Sequence, residues 1–265
     1  MPIVDSHCHA SPSWYEPVEV LLFQMDRNAV DHAILIQMQG QTNNAYQFEC
    51  IRRFPGRFAS VVIVDPNRPD APETLARLAE EGASGVRIGP RVRSPGGDPY
   101  AIWRAAEQLG LAVSCGGTAA DFASDQFAEV IQTFANLPIV IEHLGSVNHP
   151  TGNPDENEIR RKVFALSRFP NTYIKVPGLG EFSQRAMPVV EPFPFKQPIP
   201  PLLAQVYDVF GPRRMMWGSD YPPVSSREGY GSALRNTMEQ FAARSQEDRN
   251  WIFGETALSV FPVRR

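Results

Sequence analysis

Short apolar runs alternate with amphipathic stretches along nearly the whole chain. The runs Ile3–His7, Ala33–Gln37, Ala59–Val64, Gly85–Ile88, Ala112–Cys115, Ile139–Glu142, Thr172–Val176 and Met215–Gly218 read as eight strands. Between them, Val18, Leu21, Leu22 and Met25 recur at i, i+3, i+4 and i+7, as do Phe127, Val130, Ile131 and Phe134, each set lining one face of a helix. Asp98 and Pro99 predict an N-cap and a first helical residue, with Gly110 after the last turn, and Gly82 closes the helix that contains Leu75 and Leu78. Strands that are apolar on both faces favour parallel pairing. Strand and helix repeated eight times predict one α/β domain over residues 1–265, a single (β/α)8 TIM-type barrel. The alternative is an open doubly wound sheet, but no Gly-x-Gly-x-x-Gly follows the first strand to cradle a dinucleotide.

Composition narrows the class. The 265 residues are 43% hydrophobic and 20% charged, an ordinary globular balance for one barrel-sized domain. A net charge of −4 without a basic stripe argues against nucleic acid as a partner. No run of about 18 apolar residues suggests a membrane span and no leader pattern opens the chain. Cys8, Cys50 and Cys115 are odd in number and scattered, which points to reduced thiols and a cytoplasmic location. No signal for an oligomeric state is present.

Barrel enzymes build their sites at the C-terminal ends of their strands. Those ends hold His7 and His9, Gln37 and Gln39, Asp65, Arg87 with Arg91 and Arg93 beyond it, Ser114-Cys115-Gly116-Gly117, Glu142 and His143, Lys175, and Ser219-Asp220-Tyr221. Strand alternation predicts that Asp5, His7 and His9 share one face while Ser6 and Cys8 take the other. Two imidazoles so placed make a chelate or a catalytic pair, or are polar residues of a half-buried strand. His32 and His149 fall outside the strand ends and read as solvated surface residues.

In order along the chain, Val-Asp-Ser-His-Cys-His, Phe-Pro-Gly-Arg-Phe near position 56, Gly-Val-Arg near 86, Glu-His-Leu-Gly near 143 and Met-Trp-Gly-Ser-Asp-Tyr-Pro near 219 resemble the amidohydrolase-related superfamily. The likeness is to its branch of pyrone-dicarboxylate and sugar lactonases, and it covers essentially the whole length. It implies a catalytic centre of His7, His9, His143 and Asp220. Zinc-dependent members, including the family's decarboxylases, generally carry a further histidine at the end of the fifth strand, where this chain has Ser-Cys-Gly-Gly. A divalent ion, zinc first, would then rest on His7, His9 and Asp220, with Cys115 as a soft ligand if it faces inward and as a buried inert thiol if it does not. Metal-free catalysis stands equally open.

A carboxylate facing histidines across a barrel mouth can take a proton from water and return it to a leaving oxygen, as ester or lactone hydrolysis requires. The sequence therefore predicts a lactone hydrolase with Asp220 as base. Alternatives are a zinc-dependent decarboxylase of an aromatic or unsaturated acid, and a non-catalytic small-molecule binder. Arg87, Arg91 and Arg93 suggest an anionic small-molecule substrate, because a guanidinium pairs bidentately with a carboxylate; the alternative for Arg91 and Arg93 is a salt-bridged loop. Gln39 and Asn44 offer hydrogen bonds to the substrate, Tyr221 a pocket wall, and Lys175 a contact to Asp220 or to an anion, or a structural ion pair. The segment Gln184–Pro201, with six prolines and Phe193 and Phe195, reads as a lid, an interface element or a surface loop, and Ser146–Asp155 as part of the rim.

Overall fold

The computed structural model describes residues 2–147, 154–190 and 194–263, so His149, Phe193 and most of the segment Ser146–Asp155 lie outside the described residues. Eight strands, β1 Val4–Cys8, β2 His32–Ile36, β3 Phe58–Val62, β4 Gly85–Arg87, β5 Ala112–Cys115, β6 Ile139–Ile141, β7 Thr172–Val176 and β8 Met215–Trp217, are hydrogen-bonded in chain order. Every pair along the sheet is parallel, and helices intervene between strands, as expected for a (β/α)8 barrel. The seam between β8 and β1 closes through main-chain bonds: the Asp220 N–H donates to the His7 carbonyl at 2.8 Å and the His9 N–H to the Tyr221 carbonyl at 2.8 Å. Gly218 makes this approach feasible, since a Cβ there would stand 2.7 Å from the His7 Cβ.

Inside the barrel, Val4, Ile34, Ile36, Ala59, Val61, Ala112, Val140 and Met216 form one apolar cluster, closed at the strands' N-terminal end by Ala257, Val260 and Phe261. A larger cluster outside the strands packs them against the helices. Burial on both faces explains why the strands lack polar alternation. With the floor filled by hydrocarbon, polar side chains collect at the opposite, C-terminal mouth. No described helix is long and apolar enough to cross a membrane.

Local signals behave as their chemistry dictates, with three exceptions. Gly82 ends the helix Ala71–Glu81 at φ 116°, a left-handed conformation that glycine adopts without a Cβ clash. The helix expected from Asp98 instead begins at Ala101. Asp98 Oδ1 accepts from the Tyr100 N–H at 3.0 Å and its carboxylate also pairs with Arg104, so Asp98-Pro99 forms the turn that precedes the helix. The second exception concerns β1. Asp5 pairs with Ala33 and Cys8 with Leu35, so three steps on β1 match two on β2 and the strand carries a bulge. Asp5 therefore sits on the outer face with Cys8, not on the inner face with His7 and His9. There its Oδ1 accepts from the Ser219 N–H at 2.8 Å and the His7 N–H at 3.1 Å, while Oδ2 accepts from the Ser219 hydroxyl at 2.6 Å. His32 opens β2 half-buried, its Nδ1 donating to the Gly56 carbonyl at 2.7 Å, rather than standing free in solvent.

Candidate active site

The bulge aims the β1 imidazoles into the barrel. His7 and His9 meet edge to face with ring centroids 5.0 Å apart, and His143 approaches His7 to 4.6 Å. His9 donates through Nδ1 to the Ile36 carbonyl at 2.7 Å, since a carbonyl can only accept, and this directs Nε2 toward Asp220 Oδ1, 3.6 Å away.

A buried polar chain lies behind His7. Arg87 Nη2 donates to Glu142 Oε2 at 2.7 Å, Ser114 Oγ to Glu142 Oε1 at 2.7 Å, and Lys175 Nζ to Ser114 Oγ at 2.8 Å, while the same Nζ lies 3.0 Å from His7 Nδ1. Burial alone would raise the Glu142 carboxyl, but Arg87, Lys175 and His143 outweigh it and bring it down to about 2. Burial pulls the Lys175 ammonium down to about 8 although Glu142 opposes the shift, so it remains mostly charged at neutral pH. For His7, burial first and then the charge of Lys175 push its pKa well below the usual imidazole range. A neutral His7 that accepts from the ammonium at Nδ1 carries its proton on Nε2. That nitrogen is buried, has no hydrogen-bond partner among the described residues, and lies 3.9 Å from Asp220 Oδ1.

Asp220 follows β8 in a left-handed backbone conformation, φ 56°, which is uncommon for a non-glycine residue and is held by the seam bond to His7. Burial pushes its carboxyl up, but His9, His143 and Arg227 overcome this and hold it below the ordinary carboxylate range. Arg227 Nη1 donates to Asp220 Oδ2 at 2.9 Å and Nη2 stands 3.5 Å from Glu181 Oε1. Glu181 accepts from His143 Nδ1 at 3.0 Å. Burial disfavours the imidazolium of His143, yet Glu181 prevails and raises it to about 9. At neutral pH an ionised carboxylate thus lies beside a cationic donor and a neutral one.

One donor atom each of His7, His143 and Asp220 lie within 4.8 Å of one another. The partnerless Nε2 of His7 and the Glu181 carboxylate behind His143 suit a single divalent ion. The closest group thus includes His143 in the place expected for His9. Cys115 stands apart: it is fully buried in the outer apolar cluster, and burial raises its thiol well above the usual range. It is Ser114 that faces the site from β5.

The sequence matches the amidohydrolase family model over residues 4–263. The chain belongs to the amidohydrolase family. No curated protein matches it. Among solved structures, this amidohydrolase is similar to a candidate 2-pyrone-4,6-dicarboxylic acid hydrolase from Pseudomonas putida, with 23% identity over 98% of this chain and 97% of that one and a TM-score of 0.76. An amidohydrolase from Burkholderia multivorans with bound zinc gives 19% identity, coverage of 99% and 100%, and a TM-score of 0.74. The 5-carboxyvanillate decarboxylase from Sphingomonas paucimobilis gives 15%, 99% of each chain and 0.63. At these identities the likeness is one of fold.

The remaining candidates of this amidohydrolase divide between the mouth and the scaffold. A cavity of about 770 Å³ at the strand ends is lined by Arg87, Arg91, Arg93 and Gln39 together with Glu142 and His143. Arg87 is committed to Glu142 and to the Gln37 carbonyl, so its first role is to neutralise a buried acid. Arg91 is 74% exposed and paired with Asp121. Arg93 donates to the Pro90 and Val92 carbonyls and packs over Tyr100. Lys175 touches His7, Ser114 and the Phe261 ring rather than Asp220. Tyr221 is buried, edge-on to Tyr230, and Asn44 spends its amide on the Thr42 and Ile63 backbone, so neither is among the residues lining the mouth cavities. The segment after β7 folds back on itself through an Arg185–Phe195 bridge, and Phe195 packs against the core. Strand-end placement marked Glu142, Arg87 and Lys175 separately, but not that they pair with one another. Glu181 ends a short 3-10 helix after β7 and Arg227 follows one after β8, with no local sequence motif at either, and they became visible only through their contacts.

Proposed function

We propose that the protein is a hydrolase that opens a lactone or similar cyclic ester of an acidic small molecule, with Asp220 as general base. The observation that carries this reading is the juxtaposition of the Asp220 carboxylate, held ionised, with the His143 imidazolium and the Nε2–H of His7. The carbonyl oxygen of a bound lactone sits between the two imidazole donors, which stabilise the negative charge that grows on it. Asp220 accepts a proton from water as the water oxygen bonds to the carbonyl carbon. The tetrahedral adduct then collapses with cleavage of the ring C–O bond, and Asp220 returns the proton to the departing ring oxygen, giving a hydroxy acid. Arg227 keeps the carboxylate oriented, and His9 confines it from the other side.

Cations at the mouth support an anionic substrate: Arg91 and Arg93 line the cavity beside the His143 imidazolium. The likeness to a candidate pyrone-dicarboxylate hydrolase agrees with this. A divalent ion, if bound, would rest on His7, His143 and Asp220 and would polarise the carbonyl and acidify a water. A panel of lactones, followed by acid release with and without chelator, tests the reading. Evolution of carbon dioxide from unsaturated or aromatic acids, with the lactones untouched, would instead place the chain with the decarboxylases.

A further inference from the structure

The mouth has two lobes, and their chemistry differs. The 770 Å³ cavity carries the charged rim: Arg91, Arg93 and His143 against Asp121 and Glu142. A second cavity, of about 460 Å³, opens between the ends of β2, β3 and β4 and joins the first at Arg87, Gly89 and Gly116. Its walls include Ile63, Val64, Ile88 and Val92, with Thr42 and Gln39 as neutral polar groups at its edge. The charge that belongs to this lobe alone is Asp65, an anion. Arg87, at the junction, already serves Glu142.

We propose that the second lobe is a subsite for a neutral, apolar substituent of the substrate. The preferred substrate then carries one acidic end and one alkyl or aryl arm, rather than two carboxylates. This rests on the reading above that the charged lobe takes the acidic end. A carboxylate placed in the second lobe would give up its hydration, face Asp65 and find Arg87 already neutralised, which is costly. An alkyl or phenyl group there displaces water from the half-buried Ile63 and Val92 and gains from the burial. Gly116 keeps the passage between the lobes open beside Glu142, because a Cβ at that position would stand 2.7 Å from Glu142 Oε2.

The test measures binding without turnover, so it is independent of whether any lactone is hydrolysed. Titration calorimetry on the intact protein compares butyrate, glutarate and 4-phenylbutyrate at neutral pH. 4-Phenylbutyrate is expected to bind roughly tenfold or more tightly than either of the others, as burial of a phenyl group implies. Ile63→Glu, at a half-buried wall position, should erase that advantage and leave butyrate unchanged. Thr42→Trp, which fills the lobe without adding charge, should do the same and guards against a folding defect in the first variant. Tighter binding of glutarate, equal affinities, absence of binding by 4-phenylbutyrate, or an advantage that survives both variants would overturn the proposal. Failure of the lactone panel with this binding pattern intact would overturn the hydrolase reading alone.

Discussion

The Lys175 ammonium stands 3.0 Å from His7 Nδ1, and this contact decides which nitrogen of His7 carries the proton. Lys175 is itself held by Ser114, and Ser114 by Glu142, so a chain of buried hydrogen bonds running back to Arg87 sets the tautomer at the reacting end. Replacing Lys175 by Met removes the donor and releases His7 Nε2 from its role. We expect kcat to fall about 10²-fold, the scale for loss of one oxyanion donor, with KM changed little. Steady-state kinetics on the folded variant checks this, and an equal loss in KM would point to substrate binding instead.

The pH profile should show an alkaline limb. Lys175 titrates at about 8 and His143 at about 9, and both act in their protonated forms, so kcat/KM declines as pH rises through that window. Glu181 is what raises His143. Glu181→Gln removes the negative charge, lowers the imidazolium pKa and moves the His143 contribution to lower pH. A limb unmoved in that variant would contradict the assignment.

Stability should fall in acid through Glu142. Its folded pKa of about 2 lies below the ordinary value of 4.5, so the stabilisation is fully present above about 4.5 and is lost as pH falls toward 2. Arg87→Met leaves this buried carboxylate short of its main cation and should cost about 3–5 kcal/mol at neutral pH. The deficit should shrink as pH falls, because a Glu142 without Arg87 protonates readily. Thermal unfolding of both proteins across the acid range reads the two effects together.

Zinc and protons compete for the same imidazoles. His143 must lose its proton to become a ligand, so one equivalent of zinc should bind more tightly at pH 9 than at pH 6. His143→Ala should weaken zinc binding and remove the share of that dependence that belongs to the imidazolium. Calorimetric titration with zinc alone provides the measurement, and pH-independent affinity would place the ion elsewhere.

Much of this architecture was legible in the sequence. The eight strands, short and apolar, fall within a residue or two of their expected bounds because burial on both faces leaves a contiguous hydrophobic signature. Strand-end reading also located His7, His9, His143 and Asp220, which gather within a few ångströms of one another. The facing of Asp5 was not legible, because counting alternation presumes a regular strand and the bulge between Asp5 and Cys8 inserts one residue. The pairing of Arg87 with Glu142 was hidden for a related reason. The two lie 55 positions apart in sequence, and no local pattern shows a long-range ion pair. Glu181 and Arg227 escaped notice likewise, since their meaning lies in the contacts they make across the mouth.

In the proposed reaction Asp220 activates water for ring opening. The most direct measurement is acid release from a lactone panel by the native chain and by Asp220→Asn, which keeps the size of the side chain and the seam hydrogen bond of the backbone. Hydrolysis of at least one acidic lactone by the native protein is expected, with a loss of at least about 10³-fold in kcat in a variant whose circular dichroism spectrum shows it folded at the assay pH. Native-like turnover by Asp220→Asn would contradict it.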